Sequence, residues 1–247
     1  MRKEVKYSRN PMQNEEKSIY GKDLSFAAAE AYKLLRTNIL FALPDERHKC
    51  RIIGVTSSVS GEGKSTTALN LSYMLAEAGE RVMLIEGDMR MPTISRQLNL
   101  QVSPGLSNIL AGLNKVEDVL QESGLHSHLQ IICSGDIPPN PSELLGAKSM
   151  GTLIEALAED YDFIIFDLPP VTEVADPLVA SKLTDGMILV VRQNYVSRRA
   201  LANTMQQLQY VNAKVLGFVM THVSGGKNKK YYKRYGRYGY YGRYGPA

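Results

Sequence analysis

A glycine-rich segment that follows an apolar stretch supplies the most specific chemistry in the sequence. Residues 58–66 are Ser-Val-Ser-Gly-Glu-Gly-Lys-Ser-Thr, which matches the end of the phosphate-binding pattern G-x-x-x-x-G-K-[ST], with serine in place of its first glycine. The backbone N–H groups of residues 60–65 can surround phosphate groups, and the N-terminus of the following helix adds partial positive charge. We expect Lys64 to contact the β- and γ-phosphates, Ser65 to bind Mg²⁺ and Thr66 to reach the α-phosphate. The predicted nucleotide contacts are Ser60, Gly61, Glu62, Gly63, Lys64, Ser65 and Thr66.

Two apolar runs that end in carboxylates predict the metal and proton chemistry. Residues 163–166 are apolar and precede Asp167 in the Walker B form, and we expect Asp167 to hold Mg²⁺ directly or through water. Residues 82–85 are also apolar and precede Glu86; Asp88 lies two positions further on, so in an extended chain both carboxylates face one side. One of these two is expected to organise the metal or its water, and the other to accept a proton. The predicted catalytic residues are Lys64, Glu86, Asp88 and Asp167, and the predicted metal ligands are Ser65, Asp88 and Asp167.

The carboxyl-terminal tail differs in composition from the rest of the chain. From Lys227 onward there are seven Lys or Arg residues and no acid, so the net charge of +4 leaves −3 for residues 1–226. A repetitive, Gly-rich and charged stretch cannot bury enough apolar surface to fold alone, and residues 226–247 are expected to form a disordered tail. Seven of the fourteen tyrosines lie in the last seventeen residues. They are candidate phosphoryl acceptors: Tyr231, Tyr232, Tyr235, Tyr238, Tyr240, Tyr241 and Tyr244.

Alternating strands and helices must position these groups. The pattern predicts an α/β P-loop NTPase fold, with a mostly parallel central sheet flanked by helices. Residues 1–24 are polar and patternless, which predicts a flexible arm, and residues 25–225 are expected to form the folded domain. The predicted strands are 51–56, 81–86, 129–133, 161–167, 186–192 and 214–221; the predicted helices are 26–42, 64–79, 150–159 and 198–210, with short helices in 93–120 and a proline-rich loop at 138–141.

Length and composition exclude several classes of protein. A chain of 247 residues with 44% hydrophobic residues suits one large α/β domain. Cys50 and Cys133 form neither a metal-binding nor a redox spacing, which is consistent with a reducing cytosol. The apolar runs are too short to span a bilayer, so we expect a soluble chain whose association with a membrane needs a partner.

Together the motifs resemble those of the bacterial tyrosine kinases known as BY-kinases. The resemblance is greater to the separate cytosolic subunit of Gram-positive capsule and exopolysaccharide systems. It extends from about residue 24 to the end and comprises a Walker A loop at 57–66, a Walker A′ motif at 86–90, a Walker B strand with two prolines at 163–170 and the run 135–145. It also places the loop in the deviant Walker A group that includes the partition ATPases. The chain departs from the family pattern at Glu86, Leu168 and Thr221-His222, where relatives carry Asp, Thr or Ser, and often Asn.

The resemblance implies an ATP-dependent protein-tyrosine kinase that uses Mg²⁺ and autophosphorylates its tyrosine cluster in trans. It implies a transmembrane activator of the polysaccharide chain-length regulator type, a cognate tyrosine phosphatase and control of capsule or exopolysaccharide synthesis. The expected location is the cytoplasm, at the inner face of the membrane when the activator is bound. Nucleic acid is not an expected partner.

A charged face on the first predicted helix extends the resemblance. The family carries a Glu-x-x-Arg-x-x-Arg motif for ring-like self-association, and the corresponding residues here are Glu30, Lys33 and Arg36. At about 100° per residue these three fall within an arc of about 120°. The spacing alone also fits a solvated face with an i,i+3 ion pair worth about 0.2–0.5 kcal/mol. The resemblance favours an oligomer interface.

Two other classes of protein share some of these features. A partition- or cell-positioning ATPase has the same type of loop, but such proteins usually carry an extra lysine early in it, where residues 57–60 offer none. A nucleic-acid-binding protein would use the interleaved Arg, Tyr and Gly of the tail to stack bases and neutralise phosphates. Phosphate on the tail would indicate the kinase, whereas salt-dependent affinity for single strands would indicate nucleic-acid binding.

Overall fold

The computed structural model describes residues 20–43 and 50–223. Within these ranges the strands are β1 Arg51–Ser57, β2 Val82–Glu86, β3 Leu120–Glu122, β4 Leu129–Ile132, β5 Phe163–Asp167, β6 Gly186–Arg192 and β7 Val215–Thr221. They form one sheet in the order β3-β4-β2-β5-β1-β6-β7. Each neighbouring pair is parallel except β3 with β4. The predicted fold, a mostly parallel sheet flanked by helices, is confirmed.

The helices lie on both faces of the sheet. They are α1 Phe26–Ala42, α2 Lys64–Glu77, α3 Ile94–Leu98, α4 Leu106–Leu110, α5 Pro141–Leu145, α6 Lys148–Asp160, α7 Asp176–Ala180 and α8 Arg198–Tyr210, with 3₁₀ turns at Gly21–Asp23, Val116–Asp118 and Ser181–Leu183. The predicted bounds of α1 and α8 agree with the structure. The hydroxyls of Ser25 and Ser197 each accept a hydrogen bond from the N–H three residues on, which is the usual N-cap of a helix. In the two described ranges, no helix combines the length and apolarity that a membrane crossing requires.

Side chains that alternate along the central strands form two hydrophobic cores. Leu84 and Ile165 belong to the core on the α2 face, whereas Ile85 and Phe166 belong to the core on the α6 face. All four are fully buried, and burying a side chain of this size contributes about 1.5–3 kcal/mol. Strands buried on both faces are continuous apolar runs, which is why residues 82–85 and 163–166 lack a polar alternation. The two cores make β2 and β5 a rigid support for whatever follows their carboxyl ends.

Several elements differ from the sequence prediction. The strand β3 has only three residues and no apolar periodicity, so no pattern indicates it. The helix α5 begins at Pro141, the last residue of the predicted rigid loop, because proline suits the first turn of a helix. The short helix α7 was not predicted; it also carries a proline in its first turn. The helix begins at Asp176, a residue that contacts the candidate site.

The described part of the predicted flexible arm packs on the folded body. The N–H of Gly21 donates to Asn70 Oδ1 over 3.1 Å, and Tyr20 and Leu24 contact the core on the α2 face. Gly21 has a φ of +58°, and a β-carbon there would lie 3.1 Å from the ring of Tyr73. Residues 20–24 therefore contact the folded body.

Candidate functional site

The phosphate-binding loop lies between β1 and α2. Gly61 and Gly63 have φ values of +80° and +90°, in the left-handed region where a side chain is strained. Gly63 is the N-cap residue of α2, so the first N–H groups of that fourteen-residue helix face the loop. The turn concentrates backbone N–H groups at a positive helix end, which is an arrangement that binds anions.

Hydrogen bonds from the neighbouring strands hold the loop in shape. Glu62 is fully buried, and its carboxylate accepts the N–H of Val59 over 2.9 Å and the N–H of Arg192 over 3.1 Å. The Arg192 guanidinium donates to the carbonyl of Gly61 over 3.1 Å, and the Thr221 hydroxyl donates to the carbonyl of Glu62 over 2.7 Å. The Glu62 side chain therefore supports the loop, and only its backbone N–H remains for a phosphate. The supporting roles of Arg192 and Thr221 were not predicted from the sequence.

Lys64 lies between two carboxylates. Its Nζ is 3.0 Å from Asp88 Oδ2, 3.6 Å from Asp167 Oδ1 and 3.3 Å from the Ser65 hydroxyl. Burial lowers the pKa of Lys64, but the charges of Asp167 and Asp88 outweigh it and leave the pKa above its usual value. The structure therefore brings together four residues that the motifs predicted at the site. They form a charged, largely dehydrated cluster at the carboxyl edge of the sheet.

The Asp167 carboxylate is the clearest candidate metal ligand. It is fully buried, and neither of its oxygens has a hydrogen-bond partner among the described residues. Burial raises the pKa of Asp167 to about 6, although the Lys64 charge and the Ser65 hydroxyl act in the opposite direction. A buried carboxylate that has an ion pair with Lys64 at 3.6 Å, no hydrogen bond from the described residues, and a serine hydroxyl beside it suits Mg²⁺, which takes oxygen ligands and is usually held by one or two carboxylates together with substrate phosphates. The residues present thus fit Mg²⁺.

Glu86 lies beside Asp167 but has a different environment. The two residues are paired in the β2–β5 register, and Glu86 is also fully buried. Its Oε1 accepts the N–H groups of Ile94 and Ser95 over 2.6 and 3.2 Å, and its Oε2 accepts the N–H of Ser134 over 3.2 Å. The Glu86 carboxylate therefore holds the start of α3 and the segment after β4 in place.

These three hydrogen bonds engage both oxygens of the carboxylate that was predicted to act as a base or to organise the metal. The prediction treated the chain from Glu86 to Asp88 as extended, but β2 ends at Glu86 and the N–H of Gly87 donates to the carbonyl of Asp167 over 2.9 Å. Asp88 instead reaches the phosphate loop, where its Oδ1 accepts the N–H of Met91 over 3.0 Å. Asp88 is the one of the two carboxylates that reaches Lys64 and faces the cavity.

A second ion pair, absent from the predicted site, borders the loop. The guanidinium of Arg90 donates twice to the carboxylate of Asp176, with Nε to Oδ2 at 3.0 Å and Nη2 to Oδ1 at 3.2 Å. Asp176 is fully buried at the start of α7 and also accepts a hydrogen bond from the hydroxyl of Ser142. This fork geometry fixes the direction of Arg90, which lines the cavity beside Lys64. The only sequence signal was Arg90 itself, two residues after Asp88.

Two cavities meet at the phosphate loop. The first, of about 280 Å³, lies beside Lys64 and Asp88 and is bordered on its far side by Met91, Pro170 and Glu173. The second, of about 370 Å³, lies between α1 and the end of β7. Both are lined by Gly63 and Thr66. The second cavity is lined by Tyr32 on α1, by Met220 on β7 and by His222, which follows β7. Phosphates at the loop would therefore have open space on both sides.

The three charged residues of α1 make contacts within the chain. Lys33 Nζ lies 3.0 Å from Glu30 Oε1, and both side chains are about half exposed. Arg36 Nη1 donates over 2.7 Å to the carbonyl of Met74 on α2. Glu30 and Lys33 thus form the i,i+3 pair that spacing allows, while Arg36 contacts the neighbouring helix. The seven tail tyrosines lie outside the described residues.

Comparison with known proteins identifies the class to which this fold and loop belong. Residues 50–217 match the family model of the AAA domain. The chain is 37% identical over 203 residues to the tyrosine-protein kinase YwqD of Bacillus subtilis, which covers 82% of this chain and 84% of YwqD. It is 34% identical over 196 residues to the tyrosine-protein kinase CpsD of Streptococcus agalactiae, which covers 79% of this chain and 82% of CpsD. The chain belongs to the AAA-domain family and, within it, to the bacterial tyrosine-protein kinases.

Solved structures agree with this assignment. The chimerical protein CapA2B2 superposes with a TM-score of 0.73 at 35% identity, over 77% of this chain and 83% of that one. The septum site-determining protein MinD of Pyrococcus horikoshii, solved with Mg-ADP, superposes with a TM-score of 0.57 at 28% identity, over 69% of this chain and 70% of MinD. The fold is thus shared with a positioning-type ATPase, but the overlap with the CapA2B2 chimera is more extensive.

Proposed function

We propose that the protein is an ATP-dependent protein-tyrosine kinase that transfers the γ-phosphoryl group to the tyrosines of its own tail, in trans between subunits. The observation that carries the proposal is the convergence of Lys64, Asp88 and Asp167 within 3.6 Å at the phosphate loop. Membership of the bacterial tyrosine-protein kinases supports the choice of tyrosine as acceptor. The seven tyrosines between residues 231 and 244 are the proposed acceptors.

Positioning and charge stabilisation account for most of phosphoryl transfer. The N–H groups of the loop and the ammonium of Lys64 bind the β- and γ-phosphates. Ser65 and Asp167 would hold Mg²⁺, which supplies positive charge to the phosphate oxygens. Because Glu86 is bonded to three backbone N–H groups, Asp88 is the remaining Walker A′ carboxylate that can receive a proton.

In the proposed step, the phosphoryl group moves from ATP to a tyrosine and the phenol proton moves to a carboxylate. The phenol oxygen bonds to the γ-phosphorus, the bond from that phosphorus to the bridging oxygen breaks, and ADP leaves. The phenol has a pKa of about 10 in water, so its proton must leave as the new bond forms. Asp88 faces the cavity and accepts this proton.

The walls of the first cavity suit an aromatic acceptor. Its side beyond the loop includes the apolar groups of Met91, Pro170 and Val174. Met91 is 63% exposed, so its side chain is accessible to an acceptor. A phenol ring packed between these groups would place its hydroxyl toward Asp88.

The proposed biological setting follows the family. We propose that a transmembrane activator of the chain-length regulator type recruits the protein to the inner face of the membrane, that a cognate phosphatase reverses the modification, and that the cycle regulates capsule or exopolysaccharide synthesis. We also propose ring-like self-association through the α1 face. The half-exposed pair Glu30–Lys33 is free to face a neighbour, whereas Arg36 already contacts Met74. No nucleic-acid partner is proposed.

Charge reversal in the tail is the proposed regulatory signal. Each phosphate adds about −1.5 to −2 charges at neutral pH, so seven phosphates add about −10 to −14. The tail carries seven positive charges, and full modification therefore reverses its sign. The resulting repulsion would loosen the oligomer, and an unchanged oligomer mass after full phosphorylation would contradict that effect.

Peptide mass spectrometry after incubation with Mg-ATP tests the proposed activity. The reaction contains the full chain and the cytosolic segment of a candidate activator, with Lys64→Met in parallel. Phosphate on residues 231–244 that is absent from Lys64→Met supports the kinase. ATP hydrolysis with an unmodified tail, although the activator is bound, would place the chain with the switch ATPases.

A further inference from the structure

A carboxylate of the chain is bonded to the phosphate loop itself. The N–H of Ser60 donates to Glu173 Oε1 over 2.8 Å, which joins residues that are 113 positions apart. Glu173 lines the first cavity and is exposed, unlike the buried Glu86 and Asp167. No motif indicated this residue, and the proposed phosphoryl transfer does not use it.

Backbone contacts place Glu173 at this position. The N–H of Val171 donates to the carbonyl of Ser57 over 2.9 Å, and the N–H of Thr172 donates to the carbonyl of Ser58 over 3.2 Å. The Thr172 hydroxyl donates to that same carbonyl over 2.6 Å. The segment after β5 thus runs alongside the phosphate loop, and the next residue, Glu173, is held opposite the N–H of Ser60.

Ser60 is the first of the predicted phosphate contacts along the loop, and Thr66, which is expected to reach the α-phosphate, is the last. From this order we infer that the Ser60 end of the loop faces the terminal phosphate and that the α2 end faces the phosphates nearer the nucleoside. The N–H of Ser60 precedes the N–H groups of the α2 end in the loop, on the side of the segment that follows Asp167. A phosphate-binding loop offers its N–H groups to anions, and here one of them is bonded to an internal anion.

We propose that Glu173 discriminates against the terminal phosphate of the nucleotide. Its carboxylate bonds the N–H of Ser60 and adds a negative charge where the γ-phosphate must bind. The γ-phosphate has to displace this carboxylate, whereas a diphosphate ends one phosphate short of it. Glu173 therefore weakens binding of ATP more than binding of ADP. Because its side chain is exposed, the displaced carboxylate can move into water, so it competes with the γ-phosphate without blocking the site.

Calorimetric titration of the full chain tests this discrimination. The probes are Mg-ADP and the Mg complex of the β,γ-imido analogue of ATP, titrated into wild type, Glu173→Gln and Glu155→Gln. Glu173→Gln removes the charge but retains an oxygen that can accept the Ser60 N–H. Glu155 is an exposed glutamate of α6 and serves as the matched control. We expect Glu173→Gln to bind the analogue about fivefold to tenfold more tightly with little change for ADP, because the γ-phosphate then no longer has to displace a like charge, whose effect is screened by water and salt.

Several outcomes would overturn the proposal. For Glu173→Gln they are an equal gain in affinity for both nucleotides, no gain in affinity for the analogue, or a loss of affinity for the analogue. The same gain in affinity for the analogue in Glu155→Gln would also overturn it. A gain that shrinks between low and high salt supports the role of charge, whereas a gain independent of salt opposes it. These affinities do not depend on whether the tail is phosphorylated, so failure here and failure of the kinase proposal are separate results.

Discussion

The ends of β2 and β5 carry two carboxylates that differ in environment although they are paired neighbours. Glu86 and Asp167 share the register of the two strands, and both are fully buried. Glu86 accepts three backbone N–H groups, whereas neither oxygen of Asp167 accepts one from the described residues. A buried anion with several donors is stabilised, and one without them is costly to ionise. The first arrangement maintains the fold, and the second leaves a charge available for a ligand.

The largest expected effect is the loss of activity in Asp167→Asn. The substitution keeps the shape of the side chain but removes the charge that would hold Mg²⁺. We expect phosphotyrosine formation to fall about a hundredfold to a thousandfold, the usual range for loss of one strong electrostatic group in an active site. Initial rates by quantitative mass spectrometry measure this effect. Asp160→Asn, at an exposed position of α6, is the control. A similar loss of activity in the control would show that the effect is not specific to Asp167.

The second effect is a loss of stability in Glu86→Gln. The amide has one acceptor oxygen instead of two, so at least one buried N–H among residues 94, 95 and 134 loses its partner. We expect the free energy of unfolding to decrease by about 1.5–3 kcal/mol, measured by denaturant titration. Phosphotyrosine per folded molecule should remain within a few-fold of wild type at low temperature. A folded Glu86→Gln protein without activity would show that Glu86 acts directly in the chemistry.

The third effect is a pH dependence that belongs to Asp167. Burial raises the pKa of Asp167 from 3.8 to about 6, so without metal the folded protein holds this proton more tightly than the unfolded chain. Ionisation of Asp167 therefore lowers the free energy of unfolding as the pH rises from 3.8 to about 6, and the loss persists above that range. We expect a difference of about 1–3 kcal/mol in favour of Asp167→Asn at pH 7.5. Denaturant titrations of both proteins in EDTA measure it, and a difference that does not change with pH would refute the assignment.

The smallest effects concern α1. There, too, one charged side chain is bonded to a backbone group and another is not. Arg36 donates to the carbonyl of Met74, whereas Lys33 pairs with Glu30 in water. We expect Arg36→Ala to reduce the free energy of unfolding by about 1 kcal/mol and Lys33→Ala by about 0.2–0.5 kcal/mol. Light scattering should show a lower oligomer mass for Lys33→Ala. An oligomer mass equal to that of the wild type would contradict the proposed α1 interface.

Local patterns were sufficient to predict much of this molecule. The predicted bounds of α1 and α8 agree with the structure because serine N-caps mark their starts. The apolar runs that precede Glu86 and Asp167 predicted two buried strands, and the parallel sheet followed from their alternation with helices. Lys64, Asp88 and Asp167 lie together because each belongs to a short motif at the carboxyl end of a strand or the start of a helix.

What the sequence did not predict depends on contacts between distant residues. The hydrogen bonds of Glu86 were not predicted because the chain stops being extended at Gly87, and residue spacing contains no sign of that turn. Arg192 and Glu173 reach the phosphate loop across separations of 130 and 113 residues. Their roles depend on which strands and segments become neighbours in the folded sheet. Only the folded topology shows such neighbours.

A mixing experiment tests the central claim most directly. The acceptor is a Lys64→Met chain with an intact tail, and the donors have all seven tail tyrosines replaced by phenylalanine. One donor also carries Glu86→Gln and the other Asp167→Asn, each with Mg-ATP and the activator segment. We predict phosphate on the acceptor tail with the Glu86→Gln donor and almost none with the Asp167→Asn donor. An unmodified acceptor with both donors, or equal phosphorylation by both, would contradict the account.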